Sequence, residues 1–332
     1  MSKATLRSLV MVNVSIIIPT KNSADVLERC LKSIYSMDYP MNNVEVIVVD
    51  GHSTDDTVEI AKRYGCKVVY EDVGTIGGAR NVGVERSSGE FIAFTDADCV
   101  VDRDWLKNLL REFEDEKVAS VGGPNITPED DTELAKCVGV VLELLSKPGA
   151  RYAFNADRVL EIRHNPTCNS AYRKSAFLEV GGFNPKLVTC DDEELDYRIR
   201  KGGYKILFTP YAKVYHYRKP TWKKFAKMAW NYGVGRGQAV KLHRELAKWY
   251  YCAPSAIIAL IVMLLALSLA LPWLSLVAVS ILVAGGVGIG IMSLYLASKT
   301  KWSRFLTYCL LIAIWFWGYG LGMLRGLFKP AR

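Results

Sequence analysis

The stretch VSIIIP, residues 14 to 19, with its counterpart VEVIVVD, residues 44 to 50, decides how the chain is read. Both are unbroken runs dominated by β-branched residues, the composition of strands covered on both faces of a parallel sheet. Between them, ADVLERCLKSIYSM spaces its apolar residues for a helix, with Asn22 or Ser23 as its cap. Outward from this unit the alternation continues. A helix is expected from about Asp56 to Tyr64, a strand at KVVY (67–70), a helix from Ala79 to Arg86 and a strand at EFIAFT. This order predicts an α/β fold with a mostly parallel, doubly wound sheet and right-handed crossovers, whose ligands bind beyond the carboxyl ends of the strands. Further helices are expected at Trp105 to Phe113 and Glu133 to Leu145, with a strand near Ala119 to Gly122.

The candidate chemistry lies at those strand ends. In FIAFTDADCV, residues 91 to 100, Asp96 and Asp98 follow a strand and are expected to share one side of an extended segment. Paired carboxylates suit magnesium or manganese, which take oxygen ligands from one or two protein acids and from substrate phosphates. Asp50 ends another strand and is placed to meet a base or ribose. The run GTIGGARNVG, residues 74 to 83, sets glycines beside Arg80 and Asn81, so that backbone can approach a phosphate or sugar closely.

The last third of the chain differs in kind. Residues 253–271, 274–297 and 305–324 carry no charge, and each is about as long as the roughly 20 residues that cross a bilayer. Residues 221–251 mix Trp, Phe and Met with lysines at three- and four-residue spacing, the pattern of a helix lying along a membrane surface with its aromatic side inserted. After Tyr211 there are sixteen Lys or Arg and one acid, Glu245, a net +15; with +8 for the whole chain, the remainder carries −7. The positive charge lies just before and between the apolar spans, where cytoplasmic segments and anionic lipid favour it, so membrane and not nucleic acid is the expected partner. The eight cysteines form no C-x-x-C pair and no zinc-like cluster with the four histidines, which predicts reduced thiols and a cytoplasmic globular part. The first dozen residues are too short and too weakly apolar for a secretory signal.

The ordered succession SIIIPTKN, EVIVVDGHSTDDT, GGARNVG, GEFIAFTDADCV, NSAYRKSAFLEVGGFN and CDDEELDYRIRKGGY resembles glycosyltransferase family 2 over residues 14 to about 237. The resemblance implies a glycosyltransferase A fold, an inverting mechanism and a nucleotide-sugar donor. With the apolar spans it is similar to the membrane-bound members, related to the cellulose-synthase-like and lipid-linked sugar transferases. Carried over by motif, it implies nucleotide contacts at Pro19, Thr20, Asn22 and Asp50, with Arg80 beside the donor. It implies the D-x-D at Asp96 and Asp98, both toward a divalent metal (Mg2+ or Mn2+), with His216 as a late metal ligand and Asp192 as general base. Asn169 and Arg173 are expected near donor and acceptor, with Arg236 or Lys241 as helpers at the donor diphosphate. Two departures are visible: VDGHS places His52 in the donor loop, and NYGVGRG (231–237) replaces the Q-x-x-R-W of processive synthases, favouring transfer of one sugar.

These readings predict a catalytic domain at 1–217, an interface segment at 218–252 and a transmembrane domain at 253–332. The expected reaction moves mannose from GDP-mannose to a hydroxyl of a lipid-linked glycan at the cytoplasmic membrane face, because a sugar hydroxyl needs a base whereas a lipid phosphate does not. A polyprenyl-phosphate sugar synthase, a donor such as UDP-glucose or UDP-N-acetylglucosamine, and a non-catalytic nucleotide-sugar-binding scaffold are the alternatives.

Overall fold

The computed structural model describes residues 13–146, 156–218 and 220–329. The first dozen residues, expected not to form a secretory signal, lie outside the described residues. In chain order the elements are β1 (Val14–Thr20), α1 (Ala24–Tyr35), β2 (Val44–Asp50), α2 (Thr57–Arg63), β3 (Lys67–Tyr70), α3 (Ile76–Glu85) and β4 (Phe91–Thr95). Then come β5 (Cys99–Val101), α4 (Trp105–Leu110), β6 (Val118–Gly122), β7 (Asn125–Ile126), α5 (Glu133–Ser146), β8 (Leu160–Glu161), β9 (Asn169–Arg173) and α6 (Lys174–Glu179). The remainder is α7 (Asp191–Lys201), β10 (Lys205–Phe208), β11 (Val214–His216), α8 (Trp222–Leu242), α9 (Trp249–Leu267), α10 (Trp273–Lys299) and α11 (Phe305–Phe328).

The chain forms two compact units. The first comprises residues 1–125, 153–183 and 195–216. Its large sheet has the order β3-β2-β1-β4-β9-β6-β10-β8. The contacts β1–β2, β1–β4, β2–β3 and β6–β10 are parallel, while β9 runs antiparallel between β4 and β6. The alternation of side chains along β1 feeds two cores: Ile16 and Ile18 meet α1 and α4 through Leu27, Leu31 and Trp105, whereas Ile17 packs with Phe94, Phe177 and the α7 residues Leu195 and Ile199. The continuous apolar strand runs thus bury both faces, as a sheet layered between helices requires.

Two elements start or stop away from the positions expected from the sequence. Helix α3 begins at Ile76, because Thr75 caps it by accepting a hydrogen bond from the Gly78 amide at 3.2 Å. Helix α4 stops at Leu110, and a 3-10 turn over Arg111–Glu114 carries the chain on.

The second unit, residues 126–152, 184–194 and 217–332, is helical. Three of its helices are long and apolar enough to cross a membrane: residues 249–267, 273–299 and 302–328. The first begins four residues before the apolar run, at Trp249, and tolerates Pro254 within its first two turns. The expected interface segment holds helix α8 and, after it, a 3-10 turn at Arg244–Leu246. Helix α8 also packs. Its buried face is Ala229, Gly233, Val234, Gly237 and Ala239, and a Cβ placed on Gly233 or Gly237 would overlap the Tyr319 or Met323 carbonyl of α11. Gly322 and Gly326 of α11 are as tightly placed against the backbone at Trp230 and Val234. Glycines on both partners therefore bring two helix backbones into direct contact, the device by which helices associate when lipid removes the hydrophobic drive. The Trp230 and Tyr232 side chains stay partly exposed. Helix α5 joins this unit through Cys137, Val141 and Leu142 against Leu296, Tyr308 and Leu311, while Arg304 reaches Glu133 with two hydrogen bonds at 3.0 and 2.7 Å.

Candidate active site

Thr95 ends β4, and the two aspartates beyond it do not lie along an extended segment. The Cys99 amide donates to the Asp96 carbonyl at 3.0 Å, so residues 96–99 form a turn between β4 and β5 that points the carboxylates apart. Asp96 turns to Arg80, 3.1 Å away, and Asp98 turns to His216, 3.1 Å away. Burial pushes the Asp96 carboxyl up to about 6, the neighbouring Arg80 guanidinium opposing the rise. His216 arrives because β11 pairs antiparallel with β5, His216 opposite Cys99.

Asp98, Cys99 and His216 bring ligand atoms within 4.8 Å of one another. Two neighbouring ligands of an octahedral ion, each about 2.1 Å from it, stand about 3 Å apart. The Asp98 and His216 atoms have that spacing, and a carboxylate with an imidazole suits manganese or magnesium. Cys99 does not fit, since burial pushes its thiol well above the usual range and keeps the proton on. Asp96, expected as a metal ligand, pairs with the buried Arg80.

The donor-loop residues also hold one another. Asp50 is buried, and its carboxylate accepts from the Ser53 amide at 2.8 Å, the Ser53 hydroxyl at 2.5 Å and the Thr20 hydroxyl at 3.3 Å. Asn22 and His52 take left-handed backbone, φ 49° and 58°. The Asn22 side chain accepts from the Thr54 amide at 2.8 Å, tying the ends of β1 and β2 together. His52 lies stacked on exposed Tyr70, ring centres 5.6 Å apart, with its Nε2 2.8 Å from Asp72. Pro19 is an inner residue of β1, paired with Val49, and only its neighbours reach the strand end. Asp50 and Thr20 thus shape the loop from beneath, while Asn22, His52 and Tyr70 lie on its exposed side.

Two further expectations change with the packing. Of the glycines near Arg80, Gly83 lies against Ile17 and Val49 so that α3 can sit close to the sheet, Gly78 lies against Val73 of the loop before the helix, and Gly74 faces open space. Asn169, opposite Thr95, is buried and fully used: its Oδ1 accepts from the Trp105 indole at 2.7 Å and its Nδ2 donates to the Pro124 and Ala212 carbonyls at 2.9 and 2.8 Å. Arg173 lies opposite Phe91, at the far end of β4, stacked over Phe91 and Phe113. Both brace the sheet through these contacts.

Helix α7 opens with Asp191, Asp192, Glu193 and Glu194, acids at the end of a helix that favours them. Arg198, the last residue of the recognised motif, donates to the Val180 and Gly182 carbonyls. Arg236, expected at the diphosphate, is instead buried against Glu193 with its guanidinium 3.9 Å from the Tyr251 ring centre. Sequence reasoning missed the part played by Glu193, Gln238 and His243; their only signal was the acidic quartet of α7 and the basic residues of the α8 segment.

A doubly wound sheet with an acid and a histidine at its carboxyl edge, and an acidic helix start, defines a nucleotide-sugar glycosyltransferase with the glycosyltransferase A fold. Residues 15–181 match the family described as glycosyl transferase family 2, and the chain belongs to that family. It is similar to the dolichyl N-acetyl-α-D-glucosaminyl phosphate 3-β-D-2,3-diacetamido-2,3-dideoxy-β-D-glucuronosyltransferase of Methanococcus voltae, 25% identical over 244 residues covering 69% of this chain and 74% of the relative. It is likewise similar to glycosyltransferase AglE of Haloferax volcanii, 29% identical over 235 residues covering 68% and 72%. Among solved structures, the mannosyltransferase PcManGT from Pyrobaculum calidifontis in complex with GDP-Man and Mn2+ superposes with a TM-score of 0.65 at 22% identity, covering 95% of this chain and 88% of that one. Residues 1–349 of Staphylococcus aureus TarS give 0.51 at 17% identity, with 94% and 90% covered. These likenesses show the fold. The protein is a glycosyltransferase that moves a sugar from a nucleotide sugar.

Proposed function

We propose that the protein transfers one sugar, with inversion and with the help of a divalent metal, from a nucleotide sugar to a hydroxyl of a lipid-linked glycan at the cytoplasmic face of the membrane. The observation that carries this reading is the 3.1 Å approach of Asp98 to His216 at the carboxyl edge of the sheet. A divalent ion held by that pair supplies positive charge to the departing diphosphate. Arg80 keeps Asp96 in place beneath the same turn. Asn22, His52 and Tyr70 receive the nucleoside. Asp192 takes the proton from the attacking hydroxyl, which is a poor nucleophile until that proton leaves. A phosphate acceptor needs no base, so an acid in the place of Asp192 favours a sugar hydroxyl over a bare polyprenyl phosphate. The name of the Methanococcus relative, which specifies a dolichyl-linked N-acetylglucosamine, agrees with that choice.

For the donor, the reading is GDP-mannose with Mn2+ or Mg2+, supported by the bound GDP-Man and Mn2+ of the Pyrobaculum structure. UDP-sugars are the alternative, supported by the complex of TarS with UDP-GlcNAc. The three helices long and apolar enough to cross a membrane support a multi-pass reading, and the positive charge of Lys299, Lys301 and Arg304 supports a cytoplasmic loop there. A panel of GDP- and UDP-sugars, each offered with Mn2+ and polyprenyl-phosphate-linked N-acetylglucosamine, tests the proposal. Transfer from GDP-mannose that chelator abolishes is the expected result. Transfer at full rate with chelator present, or with Asp192→Asn, overturns it.

A further inference from the structure

Asp192 sits in a segment fastened along its length to one helix. Within the helical unit, the Val188 amide donates to Gln238 Oε1 at 3.1 Å and the Thr189 hydroxyl donates to the Asn231 carbonyl at 2.9 Å. Gly235 lies so close to Thr189 that any Cβ there would overlap both side chain and backbone. On the other side of Asp192, Glu193 is paired with Arg236 and Glu194 with His243, the latter at 2.8 Å. Gln238 is 1% and Glu194 2% exposed, so two of these contacts are anchored on buried side chains. Between the two sets, Cys190 holds a left-handed backbone, φ 61°, which a residue with a Cβ keeps only when its surroundings impose it. Every one of these partners is on α8 or directly after it, and α8 is itself locked by its glycines against α11.

We propose that α8 is the positioning element for Asp192, with Arg236, Gln238, Gly235 and His243 as positioning residues, so that the place of the base is set by the helix pair α8–α11. This rests on Asp192 being the base. Arg236 has Glu193 as counter-ion and Tyr251 across its face, and its task is to hold the α7 start in register. It does not bind the donor diphosphate.

The test uses the full chain in lipid nanodiscs, with GDP-mannose, Mn2+ and polyprenyl-phosphate-linked N-acetylglucosamine, and with Mn2+–GDP affinity measured separately by calorimetry. Gly235→Ala, Gln238→Leu and Arg236→Ala each lower kcat, by about 100-fold where the segment shifts by an ångström. KM for the donor and the Mn2+–GDP Kd stay within about twofold, and Arg236→Lys, which keeps the pairing charge, recovers part of kcat. The double variant Arg236→Ala/Glu193→Ala is no slower than either single one, because both remove the same contact. Unchanged kcat in Gly235→Ala and Gln238→Leu overturns the proposal, as does a Kd for Mn2+–GDP that rises tenfold in Arg236→Ala. Should Gly235→Ala fail to bind Mn2+–GDP through misfolding, Gln238→Leu decides alone. Retained transfer in Asp192→Asn refutes the base assignment itself; loss there with full activity in the α8 variants refutes only the positioning.

Discussion

The sheet edge and the α8–α11 contact settle their buried groups in opposite ways. At the sheet edge, side chain answers side chain: Asp96 meets Arg80, Asp98 meets His216, Asp50 meets Ser53 and Thr20, and Asp196 takes His164 at 3.0 Å with the Tyr172 hydroxyl at 3.2 Å. Between α8 and α11, backbone answers backbone, with glycine removing the side chains that would keep the helices apart. Even the Ser255 hydroxyl of α9 donates to a backbone carbonyl, that of Gly320, at 3.0 Å. The first arrangement yields groups that can titrate, bind metal and exchange partners. The second yields position without chemistry. A residue that must act in one fixed place gains from being attached to the second kind, as Asp192 is.

The largest expected effect strikes the chemistry. Asp192→Asn lowers transfer by roughly 100- to 10,000-fold while Mn2+–GDP still binds, measured by product formation and calorimetry. Asp98→Ala comes next, losing Mn2+ binding together with transfer, and added Mn2+ does not restore it. On the helical side, Gly322→Leu inserts a side chain where the Trp230 carbonyl already lies. It lowers stability by about 1–3 kcal/mol or more in a thermal melt of the nanodisc-held protein, with the sheet-edge site left intact.

Subtler effects separate the units further. Since burial raises the folded-state pKa of Asp96 to about 6, above its unfolded value near 3.8, its contribution to stability is present below pH 3.8 and is lost as the pH rises through 6. The metal-free protein therefore loses thermal stability across that window, and Asp96→Asn removes this part of the pH dependence. The smallest change has the opposite sign. His52→Gly relieves a left-handed residue and stabilises the fold by about 0.5–1 kcal/mol, while weakening nucleotide binding through loss of the ring on Tyr70.

The parallel core was legible because β-branched runs such as Val14–Ile18 and Val46–Val49 leave few other folds open, and the apolar spans were legible because they carry no charge. Asp98 and His216 were legible as motif members, and the sheet does bring them together. What could not be read was direction. Spacing alone put Asp96 and Asp98 on one side, whereas a turn separates them; Asn169 and Arg173 looked like ligands, whereas an indole and two phenyl rings claim them. The α8–α11 contact was hidden for a related reason. Glycines such as Gly233 and Gly322 mark close approach only once the partner is known, and by pattern they weaken a helix.

The eight cysteines have a practical consequence. None forms a disulfide, six are buried, and Cys252 and Cys309 are half-buried in α9 and α11. Burial pushes the Cys190 thiol up to about 12 and the Cys30 and Cys66 thiols above their ordinary range, which starves a maleimide of the thiolate it needs. The folded chain is therefore close to a silent background for thiol chemistry. A reporter cysteine placed at Lys299, the end of α10, or at Lys329, just after α11, can reveal which side of the membrane each position faces.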